Sequence, residues 1–200
     1  MSLDFYHNWL LVNMYKELWS LPHITEANFQ VNTIKGDGFE VFWKDKTTTL
    51  IHNIVLSYNR LTHVVGIYSD PGYLMEICLS SNTFGGKLPH ELTKLDNIKV
   101  LHVSYNPGFI GYLPYDIVNM FNLKNLELSY TSLGGVFPLE IGDLSMIQYL
   151  EIYKNQLKGA LTEEVGCLNH LRCLSIQNND ADSGKITGPL PFLSDLGNTY

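Results

Sequence analysis

The chain has 200 residues, of which 45% are apolar and 16% are charged, and its formal net charge is −7. That length suits one medium-sized domain with a substantial hydrophobic core. The acidic balance argues against a nucleic-acid-binding surface, which would be basic. No apolar stretch is long enough to span a bilayer, so we expect no membrane span.

The first predicted element is an amphipathic helix in the segment DFYHNWLLVNMYKELW, from residue 4 to residue 19. Its apolar residues are Phe5, Trp9, Val12 and Trp19. Charged side chains interrupt the apolar core of this segment, which makes it a poor signal peptide. Residues 1–50 do not fit the repeat that follows them, and we predict a separate N-terminal region there.

A nine-residue pattern, L-x-x-L-x-L-x-x-N, recurs from residue 74 onward. Its five matches are LMEICLSSN, IKVLHVSYN, LKNLELSYT, IQYLEIYKN and LRCLSIQNN, which start at steps of 24, 25, 24 and 24 residues. IHNIVLSYN, which starts at Ile51, also matches, but the residues after it lack the connecting sequence of the later repeats. We therefore interpret residues 51–73 as a degenerate first coil or a cap hairpin.

The spacing of the pattern indicates one coil of a solenoid. The L-x-L triplet predicts a short strand whose alternate residues face inward, and the Asn side chain can bond backbone groups where the strand turns. A Gly-x-Leu-Pro segment then bends the chain, and a short helical turn returns it. Each coil leaves about six apolar side chains bare, so the coils must stack, at roughly 1.5–3 kcal/mol per buried Leu or Ile. Thr131 stands where the other repeats have Asn and predicts a looser turn.

The connecting segments TFGGKLP, PGFIGYLP and SLGGVFP repeat as well. Together with the nine-residue pattern they resemble the leucine-rich repeat family, in its plant-type subclass with the L-x-G-x-[IL]-P signature. The resemblance implies an α/β solenoid: a right-handed superhelix with a parallel β-sheet on its concave face and an N-terminal helical cap. It places the capping region at 1–50, the degenerate coil or hairpin at 51–73, and about five repeats with a partial sixth at 74–200.

In such a solenoid the variable positions of the strands line the concave face in columns, about 4.8 Å apart from coil to coil. Four tyrosines and two glutamates are predicted to lie there with a histidine, and concave columns are the usual partner surface of the family. The candidate partner-binding residues are Tyr105, Tyr130, Tyr149, Tyr153, Glu127, Glu151 and His102. Tyr is common at binding hot spots, although it is also simply a good strand residue.

One column places Cys78, His102 and Glu127 on adjacent strands, an order that would suit an activated thiol nucleophile. No oxyanion hole is evident, the face is open to water, and we treat the alignment as coincidence. The histidines show no metal-ligand spacing with the cysteines. We therefore expect no catalytic residue, no metal site and no cofactor.

The sequence thus favours a non-catalytic interaction module that binds another protein or a peptide, and that is a monomer. Three cysteines form no even disulfide framework, and no Asn-x-Ser/Thr sequon occurs, so we expect a cytoplasmic protein. The alternative is a secreted ligand-recognition or enzyme-inhibitor domain, similar to the family's receptor ectodomains and polygalacturonase inhibitors.

Overall fold

The computed structural model describes residues 1–11, 21, 23–36, 50–62, 72–161, 163–179 and 186–187. Its main feature is an eight-stranded parallel sheet in which the strands follow one another in chain order. The strands of this sheet are β1 (Ser2–Asp4), β2 (Glu26–Asn28), β4 (Asn53–Val55), β6 (Glu76–Cys78), β8 (Val100–His102), β10 (Asn125–Glu127), β12 (Tyr149–Glu151) and β14 (Cys173–Ser175). The predicted solenoid with a parallel sheet is therefore confirmed.

Each strand of this sheet has three residues, and its middle residue points into the core. Leu101, Leu126 and Leu150 are all fully buried. The outer two residues of each strand face the other way, and the register pairs equivalent positions of neighbouring coils. Because successive side chains of a strand point to opposite faces, the outward residues of neighbouring strands line up in the columns predicted from the repeat.

A second parallel sheet lies where the glycine-rich connecting segments were predicted only to bend. It contains β7 (Gly85–Lys87), β9 (Gly108–Tyr112), β11 (Ser132–Val136), β13 (Gln156–Ala160) and β15 (Ile186–Thr187). In the first coils, β3 (Lys35–Gly36) pairs with β5 (Arg60–Leu61) in the same parallel sense. These strands form because backbone hydrogen bonds join the connecting segments of successive coils.

The return segments are 3-10 helices, and the described residues contain no α-helix. The helices cover His90–Lys94, Tyr115–Asn119, Leu139–Asp143 and Glu163–Cys167. Pro89, Pro114 and Pro138 precede the first three in extended conformation. A proline suits this place because its fixed φ leads into the helical turn and no N–H donor is lost there.

Asparagines at the end of the pattern link each coil to the one before it. Asn106 is fully buried, and its Nδ2 donates to carbonyls of its own coil, Val103 at 2.9 Å and Ser104 at 3.2 Å, and to Leu79 of the previous coil at 3.1 Å. Its Oδ1 accepts the backbone N–H of Phe84. Asn32, Asn59, Asn82, Asn155 and Asn179 make the same kind of link.

Thr131 breaks this ladder, whereas the turn itself keeps the conformation of the other coils, with a φ of 53° at Tyr130. Its hydroxyl reaches only the Leu128 carbonyl of its own coil and the Asn155 amide oxygen of the next coil. No hydrogen bond among the described residues connects it to the preceding coil. The link between the coils that end at Asn106 and Thr131 is therefore carried by backbone bonds, by packing and by serine hydroxyls: Ser104 Oγ accepts the Ser129 N–H, and Ser132 Oγ donates to Pro107 O.

The expected N-terminal helix is not confirmed. Ser2–Asp4 form a strand that pairs in parallel with Glu26–Asn28, and residues 5–11 contain no helix. Phe5 continues the sheet: its N–H donates to Asn28 O at 2.8 Å and its ring stacks on Phe29 at 5.1 Å. Residues 12–20, with Val12 and Trp19, lie outside the described residues.

The parallel sheet thus runs through both regions for which a cap was predicted. The sequence ITEANFQVN, from Ile24 to Asn32, fits the nine-residue pattern once Ala27 and Phe29 are accepted at leucine positions. Both side chains are buried. Residues 37–49 and 63–71 lie outside the described residues, so domain boundaries at 50 and 73 remain a proposal.

Candidate functional site

The outward face of the eight-stranded sheet is the predicted concave surface, and the register places the candidate residues on it. Glu127 pairs with His102 on one side and with Glu151 on the other, and Tyr149 pairs with Asn125 and with Cys173. Equivalent residues are therefore one strand spacing apart, about 4.8 Å.

Three of the four candidate tyrosines meet in one cluster, which we call the tyrosine cluster: Tyr105, Tyr130 and Tyr153. The Tyr105 and Tyr130 rings stack with centroids 4.4 Å apart and an interplanar angle of 16°. The Tyr153 ring meets Tyr130 edge-on at 5.5 Å. Tyr105 is nonetheless 47% exposed. The cluster is held in place by its own contacts and still offers surface to a partner.

Backbone geometry helps to present these rings. Tyr105 and Tyr130 have φ values of 58° and 53°, in the left-handed region that non-glycine residues rarely adopt. The residue before the final position of the pattern has this conformation in every coil that the structure describes: His7, Val31, Tyr58, Ser81, Tyr105, Tyr130, Lys154 and Asn178. The turn therefore directs the side chains of successive coils alike.

Lys154 is a part of the site that sequence reasoning missed. Its Nζ donates to the Tyr130 hydroxyl at 2.7 Å and lies 4.5 Å from the centroid of the Tyr130 ring. The available signal was its place in the same column as Tyr105 and Tyr130. The fourth tyrosine, Tyr149, lies in another column, and no ring contact joins it to the cluster among the described residues.

His102 and Glu127 are neighbours on the concave surface. His102 Nε2 lies 3.4 Å from Glu127 Oε1, but without the geometry of a hydrogen bond. Burial raises the pKa of the Glu127 carboxyl; the His102 side chain opposes this effect, and the Glu151 carboxylate adds to it. No described basic side chain pairs with Glu151. This part of the surface therefore carries negative charge that the chain only partly balances.

The structure also brings together the column of Cys78, His102 and Glu127. Cys78 Sγ lies 3.6 Å from His102 Nδ1 and donates to Glu76 Oε1 at 3.3 Å. Burial raises the pKa of the Cys78 thiol, and the nearby carboxylates of Glu76 and Glu127 raise it further. Because a nucleophile needs a lowered thiol pKa, this environment opposes activation.

The first and last residues of each strand in the main sheet face outward and form two columns, which we call the central columns. Sequence reasoning did not single out three acidic residues in them: Asp4, Glu26 and Glu76. Their acidic members are Asp4, Glu26, Glu76, Glu127 and Glu151, and no Lys or Arg occurs in them. Asp4 and Glu26 were missed because the first two coils were predicted to be a cap.

The described residues contain no group of three or more His, Cys, Asp or Glu side chains arranged to hold a metal ion. Nor does any helix within them have the length and apolarity to cross a membrane.

Comparison with known proteins agrees with this geometry. A family model described as Leucine Rich Repeat matches residues 122–144, which include β10 and β11 of the coil that carries Glu127 and Tyr130. The chain thus has the leucine-rich repeat solenoid fold. No curated protein sequence matches it.

Several solved structures resemble this one. A TDR receptor is 24% identical, with 87% of this chain and 30% of that chain covered and a TM-score of 0.78. The PEPR1–AtPEP1 complex is also 24% identical, with 88% and 24% covered and a TM-score of 0.79. The ectodomain of the Arabidopsis receptor kinase HAESA, in complex with an extended IDA peptide hormone, is 25% identical, with 86% and 28% covered and a TM-score of 0.74. This chain thus spans about a quarter to a third of their lengths.

Proposed function

We propose that this leucine-rich repeat protein is a non-catalytic binding module whose partner, a protein or a peptide, binds to the concave surface. The residues proposed to contact the partner are Tyr105, Tyr130, Tyr149, Tyr153, Glu127, Glu151 and His102.

The tyrosine cluster is the observation that carries this proposal. Stacked rings, of which Tyr105 is exposed and Tyr130 and Tyr153 are half-buried, give a partner apolar area without the entropic cost of ordering three side chains on binding. Tyrosine is among the residues enriched at binding hot spots, and the carboxylates beside the patch add electrostatic selectivity. Tyr149 lies two residues before Glu151 and extends the same surface.

The HAESA ectodomain supports a peptide as the kind of partner, since its structure holds a peptide hormone and is 25% identical to this chain. The same likeness supports the secreted alternative over the cytoplasmic prediction, which no finding supports. A secreted receptor fragment and an enzyme-inhibitor domain both fit a surface of this kind. The monomeric state remains a prediction, to be checked by light scattering.

The experiment that tests the proposal is affinity capture with a matched pair of variants. One carries Tyr130→Ala, Tyr153→Ala, Glu127→Ala and Glu151→Ala. The control carries Tyr112→Ala, Tyr115→Ala, Glu140→Ala and Glu163→Ala, which lie on the second sheet and the 3-10 helices. Circular dichroism should show that both variants fold.

Extracellular and cytosolic fractions of the source organism should be probed separately. We expect a protein or peptide that the wild type and the control retain and the concave-surface variant loses. The fraction that yields it distinguishes the two compartments. Equal capture by all three chains would show that the partner binds outside the concave columns.

A further inference from the structure

We propose that the partner is a basic segment, and that one of its lysine or arginine side chains binds at Glu127 and Glu151 beside the tyrosine cluster. This inference rests on the proposed function and adds the chemistry of the partner.

The first argument is the charge of the central columns. They hold five carboxylates along eight strands and no Lys or Arg, so that His102 is the one side chain in them that could offset the charge. The basic residues Lys99, Lys124 and Arg172 lie in the neighbouring column, at the edge of the strands. From Asp4 on the first strand to Glu151 on the seventh, a stripe of one sign about 29 Å long, at 4.8 Å per strand, attracts and aligns an extended chain of opposite charge.

The second argument is local. Glu127 and Glu151 are directly opposed in the parallel register, and like charges in that relationship are destabilising. Glu127 has only the contact with His102 at 3.4 Å, and no Lys or Arg among the described residues pairs with Glu151. A cation bound at this pair would relieve a repulsion that the free protein carries. That relief favours the charged partner over a neutral one.

The third argument is that a cation already lies on the tyrosine cluster. The ammonium of Lys154 contacts the Tyr130 ring and hydroxyl, which shows that this aromatic surface accepts positive charge. Glu151, two residues before Tyr153, is close enough to it to raise its pKa. An incoming guanidinium can therefore contact carboxylate and aromatic ring together, a combination that suits Arg in particular.

Partners of other charge fit this surface less well. A hydrophobic segment would contact the tyrosines but leave both carboxylates desolvated without a partner, which costs free energy. An acidic segment would be repelled by the carboxylates along the central columns. The charge of the surface thus selects a basic partner, and the tyrosine cluster sets where along the solenoid its cation binds.

The test uses a displayed library of random twelve-residue peptides, selected on the wild-type chain at low salt. The selected peptides are then measured, by fluorescence anisotropy, on Glu127→Gln/Glu151→Gln and on a control, Glu91→Gln/Glu163→Gln. The control removes the same charge from two 3-10 helices. Because Gln is isosteric with Glu, both variants should fold. At neutral pH the control should have the melting temperature of the wild type, and Glu127→Gln/Glu151→Gln should have the same or a slightly higher one.

We expect selected peptides to be enriched in Lys and Arg. Their Kd should rise about tenfold in the first variant, a loss of about 1.4 kcal/mol, and stay unchanged in the control. Binding peptides without basic enrichment, or basic peptides that bind both variants equally, would overturn the inference. If binding also withstands Tyr130→Ala/Tyr153→Ala, or if no peptide is selected, the proposed function itself fails. Peptide binding that is lost in Tyr130→Ala/Tyr153→Ala but kept in Glu127→Gln/Glu151→Gln would support the proposed function and refute the basic partner.

Discussion

Tyr105 and Tyr153 both contact the Tyr130 ring, at centroid distances of 4.4 Å and 5.5 Å. Hydrogen bonding with the Tyr105 side chain raises the pKa of Tyr153 to about 12, with burial and the Glu151 carboxylate acting in the same direction. The two outer members of the tyrosine cluster are thereby coupled across the coil that carries Tyr130.

We therefore expect Tyr105→Phe to lower the pKa of Tyr153 toward its ordinary value of 10.0. The ring stacking with Tyr130 should survive the change, so stability at neutral pH should fall by less than about 1 kcal/mol. Phenolate absorbance during alkaline titration measures the shift. Tyr112→Phe, on the second sheet, serves as the control, and an unchanged titration of Tyr153 in Tyr105→Phe would refute the bond.

Cys78 should react slowly with alkylating reagents at neutral pH, because its raised pKa keeps it a thiol. Cys167 is exposed and supplies an internal comparison in the same chain. Mass spectrometry after timed treatment with iodoacetamide should find Cys167 modified first and Cys78 last. Rapid alkylation of Cys78 that slows in His102→Ala would instead support the activated nucleophile.

Asn106→Ala should lower the free energy of unfolding by about 3 kcal/mol, because it leaves buried carbonyls of two coils without their donor. Thr131→Ala should cost only about 1 kcal/mol, since Thr131 makes no bond to the preceding coil. Urea unfolding of the two variants measures the difference. Similar losses at both positions would mean that the asparagine ladder contributes little beyond its own turn.

Much of this architecture is predictable from the sequence because each coil repeats the same physical requirements. The buried leucines set the strand register, and the register determines that Glu127 faces Glu151 and that Tyr105 and Tyr130 share a column. The first two coils were missed because Ala27 and Phe29 replace leucines, and because Phe5 and Trp9 also fit a helical spacing. There the tertiary pairing of Phe5 with Asn28 overrides the local pattern.

The second sheet was missed for a different reason. Segments such as Gly85–Lys87 contain glycines that favour a turn when one coil is considered alone. Their strand character depends on hydrogen bonds to the equivalent segment of the next coil. The contact of Lys154 with Tyr130 likewise depends on a side-chain rotamer, which no spacing rule supplies.

Glu127→Gln should stabilise the folded chain at pH 7. Since burial raises its pKa, the stabilisation linked to this group is complete below the ordinary pKa of 4.5 and is lost as pH rises through the raised value. The gain over the wild type should therefore disappear as the pH falls below 4.5. Thermal melts from pH 3 to pH 8 test this, with Glu163→Gln as the control. Lower stability of Glu127→Gln at pH 7 would show that the His102 contact dominates. A gain at pH 7 would fit a charge kept for binding at a cost in stability.

Val31→Asn should raise the free energy of unfolding by about 1 kcal/mol, because Val31 holds a φ of 57° that is strained for a β-branched side chain. Asn tolerates this conformation better. Asn178 occupies the equivalent turn with the same φ, so Asn178→Val is the reciprocal variant and should lower stability. Opposite signs for the two substitutions are the expected result. A loss in both would show that packing of the Val31 side chain outweighs the backbone.

The strand order of the main sheet has a consequence for how the chain acquires its structure. Because neighbours in the sheet are also neighbours in the chain, each strand finds its partner within about one coil of sequence, and the loop-closure entropy of each pairing is small. A nascent chain leaving the ribosome can therefore add one coil at a time to the coils already folded. Thr131 marks the junction that lacks the buried asparagine link, and a pause in co-translational folding is expected there.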